Sequence, residues 1–140
     1  MSVDWGERRV GVAIGDDEGI SVRPLEVIGR RSDSQVMDEL ARIVTGREIS
    51  RIVVGAPYNM DGSRGPAFER VLKVALTMEG RLRRPVLMLD ERLTSSAAEA
   101  VSGRKPGGAL DDVAAAILLE SFFRDPAKAV KPQQIGRRPD

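Results

Sequence analysis

MSVDWGERRVGVAIGDD, residues 1–17, decides how the rest of the chain is read. It opens as a buried strand, yet the fourth residue is an acid, Asp4. Burying an unpaired carboxylate costs several kcal/mol by order of magnitude, so Asp4 needs a compensating partner or a task. Arg8 to Ile14 (RRVGVAI) reads as a second strand. After the turn-rich GDDEG, Val22 to Ile28 (VRPLEVI) reads as a third, so the chain begins with hairpin-connected strands. Pro24 has no amide hydrogen for a ladder, which puts the third strand at a sheet edge or on a bulge.

From this opening the pattern changes period. Ser32 starts the capping-box pattern S-x-x-Q, and Val36, Leu40, Ile43 and Val44 follow at helical spacing until Gly46 supplies a stop. Arg51 to Pro57 (RIVVGAP) is the continuous apolar run of a central strand and leads into the loop YNMDGSRG. Pro66 suits a first helical turn, with Phe68, Val71, Leu72, Ala75 and Leu76 as its apolar stripe. Pro85 to Leu89 is a second buried strand that ends in the acidic pair Asp90-Glu91. Thr94 to Val101 reads as a short helix, SGRKPGG as a basic flexible loop, and Leu110 to Phe123 as a helix apolar almost all round. The order β-β-β-α-β-α-β-α-α predicts an α/β fold with a mixed five-stranded sheet flanked by helices. One domain is expected over residues 1–124, and 125–140, rich in Pro and charge, as a disordered basic tail.

Composition narrows the chemistry. The 140 residues contain no Cys and no His, which removes disulfides, Cys/His zinc sites and catalytic triads built on histidine. Any enzyme here works with carboxylates, Arg, Lys, hydroxyls, backbone amides or a hard metal ion, and carboxylates favour Mg²⁺ or Mn²⁺. No apolar run reaches the ~20 residues of a membrane span and no signal peptide is visible, so the expectation is a cytoplasmic protein without a membrane partner. Net charge is only +1, but 18 of the 22 basic residues are Arg, the side chain that grips phosphate bidentately.

Acids fall at three element ends: Asp4, Asp90-Glu91 and Asp111-Asp112. Each has an ordinary reading, as a helix N-cap for Asp111 and Asp112 or a salt-bridged turn for Asp90-Glu91 beside Arg92. Sites in open α/β sheets gather at the carboxyl ends of strands, where these acids could converge. Such a cluster needs cations, and two Mg²⁺ ions about 4 Å apart are the usual arrangement for in-line phosphoryl displacement. Setting the five acids aside leaves 16 acids against 22 bases, so an acidic centre with a basic surround suits a polyphosphate substrate.

These residues carry a family resemblance. DWGERRVGVAIGD (4–16), RPLEVI (23–28), IVVGAPYNMDGSRGP (52–66), LDERLTSSAAE (89–99) and LDDVAAAILLESFF (110–123) resemble, in order, the segments of the YqgF/RuvX family. Its members are RNase H-like proteins described as Holliday junction resolvases and as pre-16S rRNA nucleases. The resemblance implies an RNase H-like sheet and carries the family's acids onto Asp4, Glu91 and Asp111, as catalytic residues and metal ligands. Asp112 is a further candidate ligand. It also implies that the NMDGS loop, with Asn59 and Asp61, lies near the site. Arg8, Arg9, Arg64, Arg92 and Arg104 are candidates for phosphate contact, on charge and loop position. Trp5 either packs in the core or stacks on a base.

The leading function is then a metal-dependent nuclease acting on structured nucleic acid. Structured RNA, the 5′ end of 16S rRNA precursor, is preferred over branched DNA. The alternatives are a Holliday junction resolvase and a non-catalytic nucleic-acid-binding protein of ribosome assembly or transcription. A sugar-kinase-like ATPase, suggested by DWG…GVAIGDD, needs a second domain that 140 residues do not accommodate. Monomer and weak homodimer both stay open.

Overall fold

The computed structural model describes residues 1–94 and 110–135, apart from the side chains of residues 110–112. Ser2–Trp5 (β1), Arg9–Gly15 (β2) and Val22–Gly29 (β3) form the expected antiparallel meander. Val12 pairs with Glu26 and Ala13 with Pro24, leaving Leu25 as the extra residue of a bulge on an edge strand. Pro24 therefore has both placements that its missing amide hydrogen tolerates.

Asp33–Gly46 (α1) starts with the full capping box: the Ser32 hydroxyl accepts from the Gln35 amide at 3.1 Å, and the Gln35 side chain accepts from the Ser32 amide at 3.4 Å. This helix carries the chain back across the sheet, so Ile52–Ala56 (β4) runs parallel to β1. Pro66–Leu82 (α2) makes the next crossover to Val86–Asp90 (β5), parallel to β4. Glu91–Thr94 is a 3₁₀ turn, and Leu110–Arg124 (α3) is the last helix. The helix predicted over 94–101 lies outside the described residues beyond Thr94. The sheet order is β3-β2-β1-β4-β5. This is the mixed five-stranded α/β sheet expected from the sequence.

Strand alternation sorts the two faces. Val3, Trp5, Val10, Val12, Ile52, Val54 and Met88 join Phe68 and Leu40 in the core under α1 and α2. Trp5 is one of these core residues, with the Arg30 guanidinium 5.6 Å from its ring, so packing is its role. Val53 and Leu89 meet Leu118, Leu119 and Phe122 of α3 on the opposite face. The Ser2 hydroxyl donates to the Ala115 carbonyl there. Asp4, two residues on, faces the same way.

The expectation of disorder from residue 125 fails for residues 125–135. Two 3₁₀ turns, Pro126–Lys128 and Pro132–Gln134, flank Val130, which exchanges backbone hydrogen bonds of 2.7 and 2.9 Å with Met88 on the open edge of β5. Pro132 is buried, Ile135 packs on the core, and Gln133 donates to Glu79 of α2 at 2.6 Å. Covering an exposed strand edge outweighs the weak local propensity of this polar segment. Among the described residues no helix is long and apolar enough to cross a membrane.

Candidate active site

Asp4 lies at the end of β1 and Glu91 one residue past β5, so two parallel strands deliver both acids to the same end of the sheet. Val3 pairs with Val54, and one more step of that register puts Asp4 beside Gly55 of β4. Opposite Asp4 on β2 stands Gly11. Thus Asp4 has glycine on both sides and space for a second carboxyl. Glu91 takes it: a Cβ built on Gly55 would come within 2.6 Å of Glu91 Oε1.

The two carboxyls are coupled. Burial, the Asp4 charge and a hydrogen bond with Asp4 push the Glu91 carboxyl up to about 7 from the ordinary 4.5, with Asp90 adding a smaller repulsion. In that hydrogen bond protonated Glu91 donates to the Asp4 carboxylate. Such a pair, made of hard oxygen donors that repel unless a proton or a cation sits between them, fits an oxygen-seeking divalent ion. Among the described residues no group of three or more acids is assembled, so Asp4 and Glu91 are the described part of any such centre.

A cleft of ≈ 360 Å³ opens over the pair, lined by Asp4, Glu91, Tyr58, Met60, Arg92 and Thr94, with Ala114 and Leu118 of α3 forming its apolar wall. Arg92 lies exposed at the rim. Its Nη2 and Nε donate to Asp90 at 2.6 and 3.1 Å, and the guanidinium lies 5.4 Å from the Tyr58 ring, which in turn packs on Phe68 at 4.5 Å. Asp90 thus takes the Nε and Nη2 donors of the fork and partly neutralises it, which leaves the exposed Nη end for any further contact at the rim.

The other predicted residues are spread around this centre. Asn59 and Asp61 belong to the loop beside the cleft, but both turn inward on Ser63: Asp61 accepts its amide at 2.9 Å and its hydroxyl at 2.6 Å, and Asn59 Nδ2 donates to the same hydroxyl at 2.9 Å. The Ser63 bonds hold the Asp61 carboxyl below its usual range. Arg64 is engaged with Glu69 at 3.0 Å and covers the Phe68 ring at 4.7 Å. Arg8 and Arg9 are exposed at the β1–β2 hairpin and do not line the cleft. Asp111 and Asp112 belong to the first turn of α3, their side chains outside the described residues, as is Arg104.

Sequence reasoning missed Gly55, Tyr58, Met60 and Thr94. Gly55 did leave a signal: a lone glycine inside the apolar strand IVVGA marks a close approach by another group. Tyr58 and Met60 carried none, because their neighbourhood depends on a residue 32 positions away, Arg92, whose Nη1 reaches the Met60 carbonyl at 3.4 Å.

Comparison with known proteins agrees with the geometry. The sequence model of the RuvX family, described as Holliday junction resolvase, matches residues 1–125. A Chloroflexus aurantiacus protein named "Putative pre-16S rRNA nuclease" is 41% identical over 129 residues, 88% of this chain and 84% of that one. A protein of the same name from Synechococcus elongatus is 36% identical over 142 residues, covering 97% and 93%. Among solved structures, Thermus thermophilus RuvC superposes with a TM-score of 0.61 at 15% identity over 92% of this chain and 96% of that one, and shows the RNase H-like fold. A second structure of it, in complex with a Holliday junction substrate, superposes equally well at 13% identity. With its sheet and its sequence relatives in accord, the chain belongs to the RuvX family of nucleases.

Proposed function

We propose that the protein hydrolyses phosphodiester bonds in structured nucleic acid with the help of a divalent cation, Mg²⁺ or Mn²⁺, and that the 5′ end of 16S rRNA precursor is its substrate. The observation that carries this reading is the Asp4–Glu91 pair, buried enough to share a proton and opening into a cleft with an arginine at its rim. Asp4 and Glu91 would hold the cation, with Asp111 as a third ligand. The first turn of α3 precedes Ala114, a residue of the cleft wall, which supports that assignment. A bound ion supplies activation of water and charge neutralisation at the leaving oxygen, as a pair of ions does in two-metal sites. The chain's own part is positional: strand ends hold the acids, Gly55 and Gly11 make room, and Arg92, paired with Asp90, supplies positive charge at the rim where the phosphate would lie. Nucleic acid as the substrate is supported by this arginine and by the names of the relatives; the choice of RNA follows the names of the sequence relatives.

The test is cleavage of a 5′-extended 16S rRNA precursor fragment and of a four-way DNA junction, each with Mg²⁺ and with Mn²⁺. Asp4→Asn and Glu91→Gln are expected to lose about 10² or more in rate while staying folded. Junction cutting alone would transfer the substrate to branched DNA, which also requires a two-fold dimer to cut symmetric strands. Equal cutting by wild type and variants, or none by any, would remove the catalytic reading and leave a binding protein.

A further inference from the structure

Met60 is 89% exposed, the most exposed large apolar side chain among the described residues, and it stands at the mouth of the cleft over Asp4 and Glu91. Mobile tips often expose apolar groups without consequence, but this tip is braced. Five hydrogen bonds close residues 59–63 on themselves: Asn59 amide to Ser63 carbonyl and Gly62 amide to Asn59 carbonyl, both 2.9 Å, together with the three side-chain bonds of Asn59 and Asp61 to Ser63. Gly62, at φ 86°, makes the turn in a conformation that disfavours other residues. Arg92 Nη1 also donates to the Met60 carbonyl at 3.4 Å, a further contact between the tip and the rim. The braced loop thus holds a flexible, polarisable thioether side chain at the mouth of the cleft, where an apolar face that enters the cleft would meet it.

We propose that Met60 is a wedge that contacts a nucleobase beside the scissile phosphate, opening the stack there while Arg92 holds the backbone. The chemistry fits: a base has an apolar face wherever the helix is opened, and methionine is among the side chains that proteins insert between base steps. Specificity would then lie in where a helix can be unstacked, at a junction between paired and unpaired strands. This inference rests on the nucleic-acid reading of the cleft and deepens it.

The experiment uses RNA hairpins with a 5′ single-stranded extension, each carrying 2-aminopurine at one position across the boundary, titrated with protein in EDTA so that nothing is cut. Wild type and Met60→Leu are expected to raise the fluorescence at one position. Met60→Ala, with an unchanged melting temperature, is expected to bind about three- to tenfold more weakly and give no rise at saturation. No rise at any position with wild type, an equal rise with Met60→Ala, or failure to bind the RNA at all would overturn the wedge. Adding Mg²⁺ or Mn²⁺ separates the two readings. A Met60-dependent rise without cleavage keeps the wedge and removes the nuclease, whereas cleavage without such a rise does the reverse.

Discussion

Glu91 owes its position to a residue that is missing a side chain. Because a Cβ on Gly55 would lie 2.6 Å from Glu91 Oε1, Gly55→Ala forces either the strand or the carboxyl to shift. Gly55 is not in the left-handed region and the atoms nearest its Cβ would be those of the Glu91 side chain, so alanine is compatible with the strand backbone there. A displacement of about 1 Å at such a site costs on the order of 10²-fold in rate. Gly55→Ala is therefore expected to lower single-turnover cleavage about that much while shifting the unfolding midpoint by less than about 2 kcal/mol. Loss of stability without loss of rate would show that Glu91 does not need this contact. Asp4 could be singled out from sequence because an acid in a strand conflicts with burial. Its partner could not be chosen between Asp90 and Glu91 on physical grounds, since only the fold shows that Asp90 turns to Arg92 and Glu91 to Asp4.

Elements formed where the local signals were strong and self-consistent. The capping box at Ser32, the alternation of β2, the Pro24 edge and the continuous run of β4 all keep their meaning in three dimensions. The segment 125–135 is the exception, for its order comes from the edge of β5 and the flank of α2 and not from its own composition. Ending the chain after Arg124 exposes that edge along with the core contacts of Pro132 and Ile135. Urea unfolding is expected to show a loss of about 1–3 kcal/mol, with a greater tendency to associate through the bared strand. An unchanged midpoint and a monomeric product would mean that the strap adds nothing to the fold.

For the molecule as a whole, the carboxyl pair links stability to pH and to cations. Glu91 binds its proton more tightly folded, at about 7, than unfolded, at about 4.5, so the folded state holds more protons between those values. Stability from this group is complete below the unfolded value and is lost as pH rises through about 7. The Met1 amino group, buried and lowered to about 6, works in the opposite direction between 6 and 8, which makes Glu91→Gln the necessary comparison. Without divalent ions, wild type is expected to lose about 1–3 kcal/mol relative to Glu91→Gln between pH 5 and 8. Millimolar Mg²⁺ or Mn²⁺ should restore much of it at pH 8 and little at pH 5, where the proton competes with the ion. Parallel melting curves for the two proteins across this range would refute the coupling.

The sequence by itself determined the order of the described strands and helices, the edge-or-bulge placement of Pro24, the absence of histidine and cysteine chemistry, and the conflict at Asp4. Each follows from neighbours close along the chain: periodicity, capping, a missing amide hydrogen, a charge among apolar residues. Tertiary structure alone decided that Gly55 and Gly11 flank Asp4, that Arg92 meets Asp90 and Tyr58, that Arg64 pairs with Glu69 over the Phe68 ring, and that residues 125–135 cover β5. The contacts of Asp4 with Gly55, of Arg92 with Tyr58 and of Met88 with Val130 join residues tens of positions apart, and their energies exist only once the sheet has brought the strand ends together.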